Sequence, residues 1–125
     1  MMVHHTGSWE VITIYSDFDF ENSFSVWFRT KRINRIFNDF LIAENKLFIA
    51  DKHQGLGLLK IKKSYFKGKE HEFGIFNYRL NEKKVKFNKI KNGEILHLTK
   101  VPNESKIILT IRSNQGTLRH ETINI

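Results

Sequence analysis

The chain has 125 residues, of which 40% are hydrophobic and 27% are charged, a composition typical of one folded domain and not of a disordered chain. Because Cys is absent, the sequence excludes disulfide frameworks, thiolate zinc sites and cysteine nucleophiles. The 21 Lys and Arg outnumber the 13 Asp and Glu, and this formal charge of +8 favours acidic partners: nucleic acid, an anionic membrane surface or an acidic protein.

The ends and the apolar runs of the sequence indicate where the domain lies. No run approaches the roughly 18 apolar residues of a membrane-spanning helix. Residues 1–8 have neither a basic nor an apolar leader region, so we predict no signal peptide and favour an intracellular location, with the compartment undetermined. We interpret residues 1–8 as a tail or an added segment, and residues 9–125 as a single β-rich domain.

The first predicted elements are strands. Residues 9–15 are β-branched and aromatic without a breaker, and residues 24–29 have the same character. Between them Asp17, Asp19 and Glu21 alternate with phenylalanines, which predicts a strand with one solvated face. A calcium loop is the alternative for these carboxylates, but the Gly at the sixth position and the Glu at the twelfth position are absent.

The next segment is ambiguous between helix and strand. Five apolar residues at helical spacing predict one short helix from Arg32 to Leu41, with Thr30 as its N-cap. The alternative is a strand over 33–37, a turn and a second strand over 40–43, because Ile, Phe and Asn are only moderate helix formers. The five residues are Ile33, Ile36, Phe37, Phe40 and Leu41.

The rest of the chain predicts successive hairpins. Turn residues separate short apolar runs throughout, and Asn92-Gly93 is a strong signal for a two-residue hairpin turn. The predicted fold is therefore all-β, or a β-rich α+β fold if the short helix forms, with antiparallel hairpins arranged as a meander. The further predicted strands cover 47–50, 56–61, 73–80, 85–90, 94–100, 106–111 and 117–125, with 73–80 and 85–90 forming one hairpin.

Two corners of the predicted hairpins are alike. Gln54-Gly55 and Gln115-Gly116 each follow an apolar strand at the same spacing, and each precedes a strand that ends in Ile. A β-turn-β unit that recurs at a fixed spacing is typical of repeated hairpins or propeller blades.

The segment from Asp39 to Ile61 resembles a blade of the LVIVD-type β-propeller repeats. The tail, residues 106–125, resembles a propeller blade more generally but lacks the Ala-Asp and Gly-Leu pairs. The resemblance implies a non-catalytic binding or scaffold module that engages a protein partner, and it carries no catalytic residues. Since 125 residues supply two or three blades and a closed propeller needs about four or more, the chain is either part of a larger assembly or a small sheet domain with similar hairpins. The matching residues are Leu47, Phe48, Ile49, Ala50, Asp51, Gly55, Leu56, Leu58, Leu59 and Ile61.

The sequence contains no recognisable catalytic or metal-binding motif. None of the six His stands at a spacing typical of metal ligands, and His71 between two glutamates is better explained as a solvated turn. Gly55 and Gly57 are not followed by the Gly-Lys-Ser/Thr of a phosphate loop, and no nucleophile elbow occurs. We therefore predict no enzymatic activity, no cofactor and no metal.

The clearest functional pattern is a Lys-rich middle segment interleaved with aromatic residues. Lys and Arg neutralise phosphates, and exposed aromatic rings stack on unpaired bases, so this pattern predicts an alternative function as a basic nucleic-acid-binding domain, such as an accessory subunit of a ribonucleoprotein. The opposing interpretation places the aromatic rings in the core and only the lysines in solvent. The candidate residues for binding nucleic acid or an acidic partner are Lys60, Lys62, Lys63, Lys67, Lys69, Arg79, Lys83, Lys84, Lys86 and Lys89.

Overall fold

The computed structural model describes residues 1–16, 19–30, 35–66, 69–71, 74–76 and 78–125, and it describes their side chains except at 16, 19–22, 69–71 and 74–76. Within these ranges the fold is all-β, as the sequence predicts, and the helices are two short 3₁₀ turns at Lys63–Phe66 and Glu82–Lys84. None of the helices in these ranges has the length and apolar character needed to cross a membrane. The strands are β1 (Met2–Thr6), β2 (Trp9–Ser16), β3 (Asp19–Arg29), β4 (Phe37–Ala43), β5 (Lys46–Asp51), β6 (Gly55–Lys60), β7 (Lys69–His71), β8 (Gly74–Phe76), β9 (Tyr78–Asn81), β10 (Lys86–Asn88), β11 (Glu94–Lys100), β12 (Lys106–Arg112) and β13 (Leu118–Asn124).

The chain divides into two compact units. That residues 9–125 form a single domain stays a prediction. Unit 1 consists of Met1–Ile33 and Ile61–Lys84, and unit 2 consists of Asn34–Lys60 and Val85–Ile125. Both units carry part of the basic excess, because unit 1 has ten Lys and Arg against seven Asp and Glu, and unit 2 has eleven against six.

Unit 1 contains a four-stranded sheet in the order β1-β2-β3-β9. The pairs β1–β2 and β2–β3 are antiparallel, whereas β3 and β9 are parallel. The segment Met2–Thr6, which the sequence analysis placed in a tail outside the domain, pairs with β2 as strand β1, with Thr6 opposite Trp9. Gly7 makes the intervening turn possible, since its φ of 56° is one that glycine adopts without steric cost.

One face of this sheet forms the core of unit 1. Phe24, Val26 and Phe28 of β3 alternate on that face and are buried completely. The 3₁₀ helix Lys63–Phe66 packs on Phe24, because the rings of Tyr65 and Phe66 lie 5.3 and 5.1 Å from the ring of Phe24. Strands β7 and β8 form a separate two-stranded antiparallel ribbon.

The predicted helix from Arg32 to Leu41 is wrong over the part that the structure describes, 35–41. Residues Phe37–Ala43 instead form β4, which pairs with β5 and has a bulge between Phe37 and Asp39. A bulge inserts one extra residue, so it converts the two-residue spacing of a strand face into a three-residue spacing. Phe37 and Phe40 therefore lie on one face with their rings 5.5 Å apart. Their separation of three residues in the sequence is also the spacing of one face of a helix, which explains the helical prediction. Residues 31–34 of the prediction lie outside the described residues.

Unit 2 consists of two antiparallel sheets that pack face to face. One has the order β10-β6-β5-β4 and the other has the order β11-β12-β13. The predicted hairpin of residues 47–61 is present as β5 and β6, and β4 to β6 form a meander over most of the segment that resembles a propeller blade. Within the described residues the sheets do not close into a propeller, and the LVIVD resemblance stays a prediction. The residues buried between the two sheets are Ala43, Phe48, Ala50, Ile95, Leu98, Ile107, Leu109 and Ile111.

Strands β9 and β10 do not form the hairpin that the sequence predicts for 73–80 and 85–90. β9 pairs with β3, and β10 pairs with β6. The second pairing depends on Gly57, which lies opposite Phe87: a Cβ at Gly57 would lie 2.6 Å from Cε1 of the Phe87 ring. The missing side chain at Gly57 thus makes room for a ring from a distant part of the sequence.

Hydrogen bonds from the bulged strand β4 join the two sheets of unit 2. Asp39 Oδ2 accepts the Leu98 N–H at 2.8 Å and lies 2.6 Å from His97 Nδ1, and Asn38 Nδ2 donates to the Ile95 carbonyl at 2.9 Å. β11 also has an irregularity in its register, between Ile95 and His97. The two distorted strands therefore meet, and polar side chains of one satisfy backbone groups of the other.

Candidate nucleic-acid interface

The predicted Lys-rich patch does not form one surface in a single unit. Lys62, Lys63, Arg79, Lys83 and Lys84 belong to unit 1 and are exposed. Lys67 and the side chain of Lys69 lie outside what the structure describes. The remaining candidates belong to unit 2 and are also exposed: Lys60, Lys86 and Lys89.

Arg79 lies in an aromatic cluster that the sequence analysis did not identify. Four residues of the unit 1 sheet form it, and we call it the Trp–Arg cluster: Trp9, Trp27, Arg29 and Arg79. Trp9 of β2 lies opposite Arg29 of β3. Arg79 of β9 lies opposite Ser25, which is two residues before Trp27 on β3. Because paired residues and residues two apart point to the same face of a sheet, all four side chains share the face opposite the core.

The distances within the cluster are those of cation–π contacts. The Arg79 Cζ lies 3.5 Å from the centroid of the Trp27 ring and 5.6 Å from that of Trp9. The Arg29 Cζ lies 5.2 Å from the Trp9 ring, and the two indoles meet edge to face with centroids 5.7 Å apart. Each such contact contributes about 0.5–1 kcal/mol at an exposed site. The contacts therefore hold the guanidinium groups in place without removing them from solvent.

A further hydrogen bond fixes one of the two rings. Trp27 Nε1 donates to the Ser25 hydroxyl at 2.9 Å, and Ser25 lies directly opposite Arg79 in the register. Both indoles are half-buried, while Arg29 and Arg79 are exposed. A cleft of about 250 Å³ opens here, lined by Trp9, Trp27, Arg79, Leu80 and Asn81.

The charged side chains that the structure describes on this sheet face are cationic. Among the described side chains that share this face, none is a carboxylate: they are Met2, His4, Thr6, Trp9, Val11, Thr13, Tyr15, Ser23, Ser25, Trp27, Arg29, Arg79 and Asn81. The Asn81 side-chain oxygen accepts the Lys83 N–H at 2.9 Å and begins the 3₁₀ turn that carries Lys83 and Lys84. This turn packs against β3, so two more exposed cations follow directly from the strand that supplies Arg79.

The sequence indicated the individual members of the Trp–Arg cluster but not that they lie together. Trp9 and the residues Trp27 to Arg29 were predicted correctly as strand residues, but their partnership depends on the β2–β3 register. The position of Arg79 depends on the parallel pairing of β3 with β9. Parallel strands are not joined by a short turn, so no turn residues in the sequence indicate this pairing. Only the charge and aromatic content of the middle segment pointed towards this surface.

Comparison of the chain with protein-family models, with curated proteins and with solved structures finds no match. In the part of the chain that the structure describes, no group of three or more His, Asp and Glu side chains could hold a metal ion.

Proposed function

We propose that this chain is a non-catalytic binding module and that the Trp–Arg cluster binds single-stranded nucleic acid. The observation that carries the proposal is the exposed guanidinium of Arg79, which lies over the ring of Trp27 and beside that of Trp9. Aromatic and guanidinium planes bind bases by stacking, and stacking contributes about 1–3 kcal/mol per base.

Each group of the cluster has a distinct role in the proposed complex. The guanidinium groups of Arg29 and Arg79 donate hydrogen bonds to phosphate oxygens, while the exposed parts of Trp9 and of the Arg79 plane offer surfaces for bases. Lys83 and Lys84 add charge along the backbone of the strand. A single strand is the preferred ligand because its bases present their faces, whereas duplex bases are already stacked.

Intrinsic fluorescence tests this proposal directly, because the chain has two Trp and both belong to the cluster. Titration with a short oligothymidylate is expected to quench the tryptophan emission with a micromolar dissociation constant at low salt. If the four cations neutralise up to four phosphates, log K falls with log salt with a slope of up to about −3. A duplex of the same length is expected to bind at least fivefold more weakly, and unchanged emission with the single strand would contradict the proposal.

A second candidate function is a scaffold of blade-like hairpins that engages a protein partner. Four antiparallel strands in the order β10-β6-β5-β4 support it, together with the two similar corners, in which Gly55 and Gly116 adopt φ values of 86° and 87°. Such a partner is expected to lose less affinity than an oligonucleotide as salt increases, because only part of its interface consists of exposed charge pairs. Co-sedimentation with partner proteins at low and high salt distinguishes the two functions.

A further inference from the structure

The two similar corners of unit 2 line the same cleft. The first corner supplies Lys52 and His53, and the second supplies Ser113, Asn114 and Gly116. Gly93, Glu94 and Arg112 complete the lining of this space of about 520 Å³, which we call the corner cleft. The sequence analysis found the repeat but not the site, because pairing the corners requires the packing of one sheet of unit 2 on the other.

Internal hydrogen bonds fix both corners. In the first, the buried Asp51 carboxylate accepts the Gln54 N–H and the Ile36 N–H, at 2.8 and 2.7 Å. In the second, the Ser113 hydroxyl accepts the Thr117 N–H at 3.0 Å. The backbone of both corners is therefore held in position before any ligand arrives, which lowers the entropic cost of binding.

The charge of the corner cleft favours an anion. Lys52 and Arg112 are cationic and His53 is exposed, whereas Glu94 is the one acidic residue of the lining. The hydrogen bond and charge of Arg112 hold the pKa of Glu94 below its ordinary value. Glu94 occupies part of the five-donor guanidinium, and Arg112 keeps 49% of its side-chain surface exposed, so donors remain for a ligand.

A purely structural ion pair is the simpler explanation of Arg112 and Glu94. It explains why those two side chains meet, and Asn38 supports it by donating to Glu94 at 3.3 Å. The charge of Lys52 also favours the ionised form of Glu94, but Lys52 and His53 come from the other corner and stay exposed. The repeated corners thus place hydrogen-bond donors on two sides of the ion pair.

We propose that the corner cleft binds an acidic peptide segment of a protein partner, an inference that rests on the second candidate function. Carboxylates of the peptide pair with Lys52 and Arg112, and Ser113 and Asn114 hydrogen-bond to its backbone. The lining favours a peptide over a nucleic-acid strand, because it contains no Phe, Tyr or Trp on which a base could stack.

Fluorescence anisotropy with a labelled peptide of alternating Glu and Ser tests the proposal on the full chain. The peptide is expected to bind at least tenfold more tightly than the same peptide with Gln in place of Glu. Lys52→Gln is expected to weaken binding at least fivefold while preserving the fold, since the hydrogen bond from Lys52 to the Ile36 carbonyl uses its backbone N–H. The matched control is Lys106→Gln on β12, which removes the same charge outside the cleft and is expected to change the affinity less than twofold.

Three results would overturn the proposal. The first is equal affinity for the Glu and Gln peptides, and the second is an affinity that Lys52→Gln leaves unchanged. The third is displacement of the bound peptide by oligothymidylate whose own binding is also weakened by Lys52→Gln. The last result would assign the cleft to nucleic acid. Failure here is separable from failure of the proposed nucleic-acid function, because tryptophan quenching reports only on the Trp–Arg cluster of unit 1.

Discussion

Arg79 places its guanidinium carbon 3.5 Å from the centroid of the Trp27 ring, although 51 positions separate the two residues in the sequence. The parallel pairing of β9 with β3 produces this contact, since it sets Arg79 opposite Ser25, two residues before Trp27. An edge strand from a later part of the chain thus supplies the cation that completes an aromatic surface. The predictions about nucleic-acid binding all depend on this contact.

Replacing Arg79 separates stacking from charge. Arg79→Lys keeps the charge but loses the planar group, and Arg79→Gln loses both. We expect Arg79→Lys to weaken oligothymidylate binding about threefold to tenfold, and Arg79→Gln to weaken it further and to reduce the salt slope by about 0.7. Anisotropy of a labelled oligonucleotide measures both. Equal binding by Arg79→Lys and the unchanged protein would show that Arg79 acts by charge alone.

Trp9 is the second test of stacking. Trp9→Leu removes the ring but preserves an apolar side chain, and the loss of about 1–3 kcal/mol of stacking predicts an affinity at least fivefold lower. Trp9→Phe keeps an aromatic plane and is expected to retain most of the affinity. Labelled-oligonucleotide anisotropy gives the affinities, and far-UV circular dichroism verifies that both variants fold. If the Leu and Phe variants bind equally well, the ring of Trp9 has no role in binding.

The two corner glycines provide a matched pair for stability. Both adopt a positive φ, of 86° at Gly55 and 87° at Gly116, so Ala at either site is strained by about 1–2 kcal/mol. A Cβ at Gly55 would in addition collide with the Asn88 carbonyl oxygen and lie 2.7 Å from Lys89 Cα, whereas a Cβ at Gly116 meets nothing within 4 Å. We therefore expect Gly55→Ala to destabilise the protein by about 2 kcal/mol more than Gly116→Ala.

Chemical unfolding followed by far-UV circular dichroism measures the difference between the two variants. Tryptophan and tyrosine fluorescence are unsuitable here, because every Trp and Tyr of the chain belongs to unit 1 and both glycines belong to unit 2. Equal losses of stability at the two glycines would contradict the close approach of β10 to Gly55.

Glu94 makes part of the stability dependent on pH. Hydrogen bonding to Arg112, opposed by burial, lowers its pKa in the folded state below that of the unfolded chain. The ionised carboxylate therefore stabilises the fold above the unfolded pKa, and this contribution is lost as the pH falls through the lower folded pKa. Because Arg112 is half-exposed, the contribution is limited to about 0.2–1 kcal/mol.

Urea unfolding of the unchanged protein and of Glu94→Gln, at pH 7 and at pH 3, measures this contribution. The difference in midpoint is expected to be largest at pH 7 and to shrink at pH 3. Glu104→Gln, in the exposed turn before β12, is the control and is expected to shift the midpoint little at either pH. A Glu94→Gln difference that is the same at both pH values would contradict the assigned role of the ion pair.

The sequence predicted the parts of the fold that depend on local pattern. The all-β class and the hairpin of residues 47–61 are confirmed, because alternation and turn residues encode them locally. The helical interpretation of residues 32–41 was wrong over 35–41, the part that the structure describes, because the bulge between Phe37 and Asp39 changed the spacing of the apolar residues. β1 was missed because residues 1–8 were interpreted as a tail or an added segment, and the pairing of Met2–Thr6 with β2 is not visible in the local sequence.

The candidate sites were less predictable than the fold, because each combines residues from distant segments. Arg79, Lys83 and Lys84 were found by their charge, but Trp9, Trp27 and Arg29 join them only through strand register. In the corner cleft, the repeat of Gln54-Gly55 and Gln115-Gly116 was visible in the sequence. The two corners line one cleft because the two sheets of unit 2 pack on each other. No local sequence pattern indicates this packing.

The most direct test of the central claim is the tryptophan emission of the intact chain during titration with oligothymidylate at low and moderate salt. We predict saturable quenching at micromolar concentration, weakened by salt and weakened again in Arg79→Gln but not in the Lys106→Gln control. Emission that is unchanged at low salt, or quenching that Arg79→Gln leaves intact, would contradict a nucleic-acid-binding role for the Trp–Arg cluster.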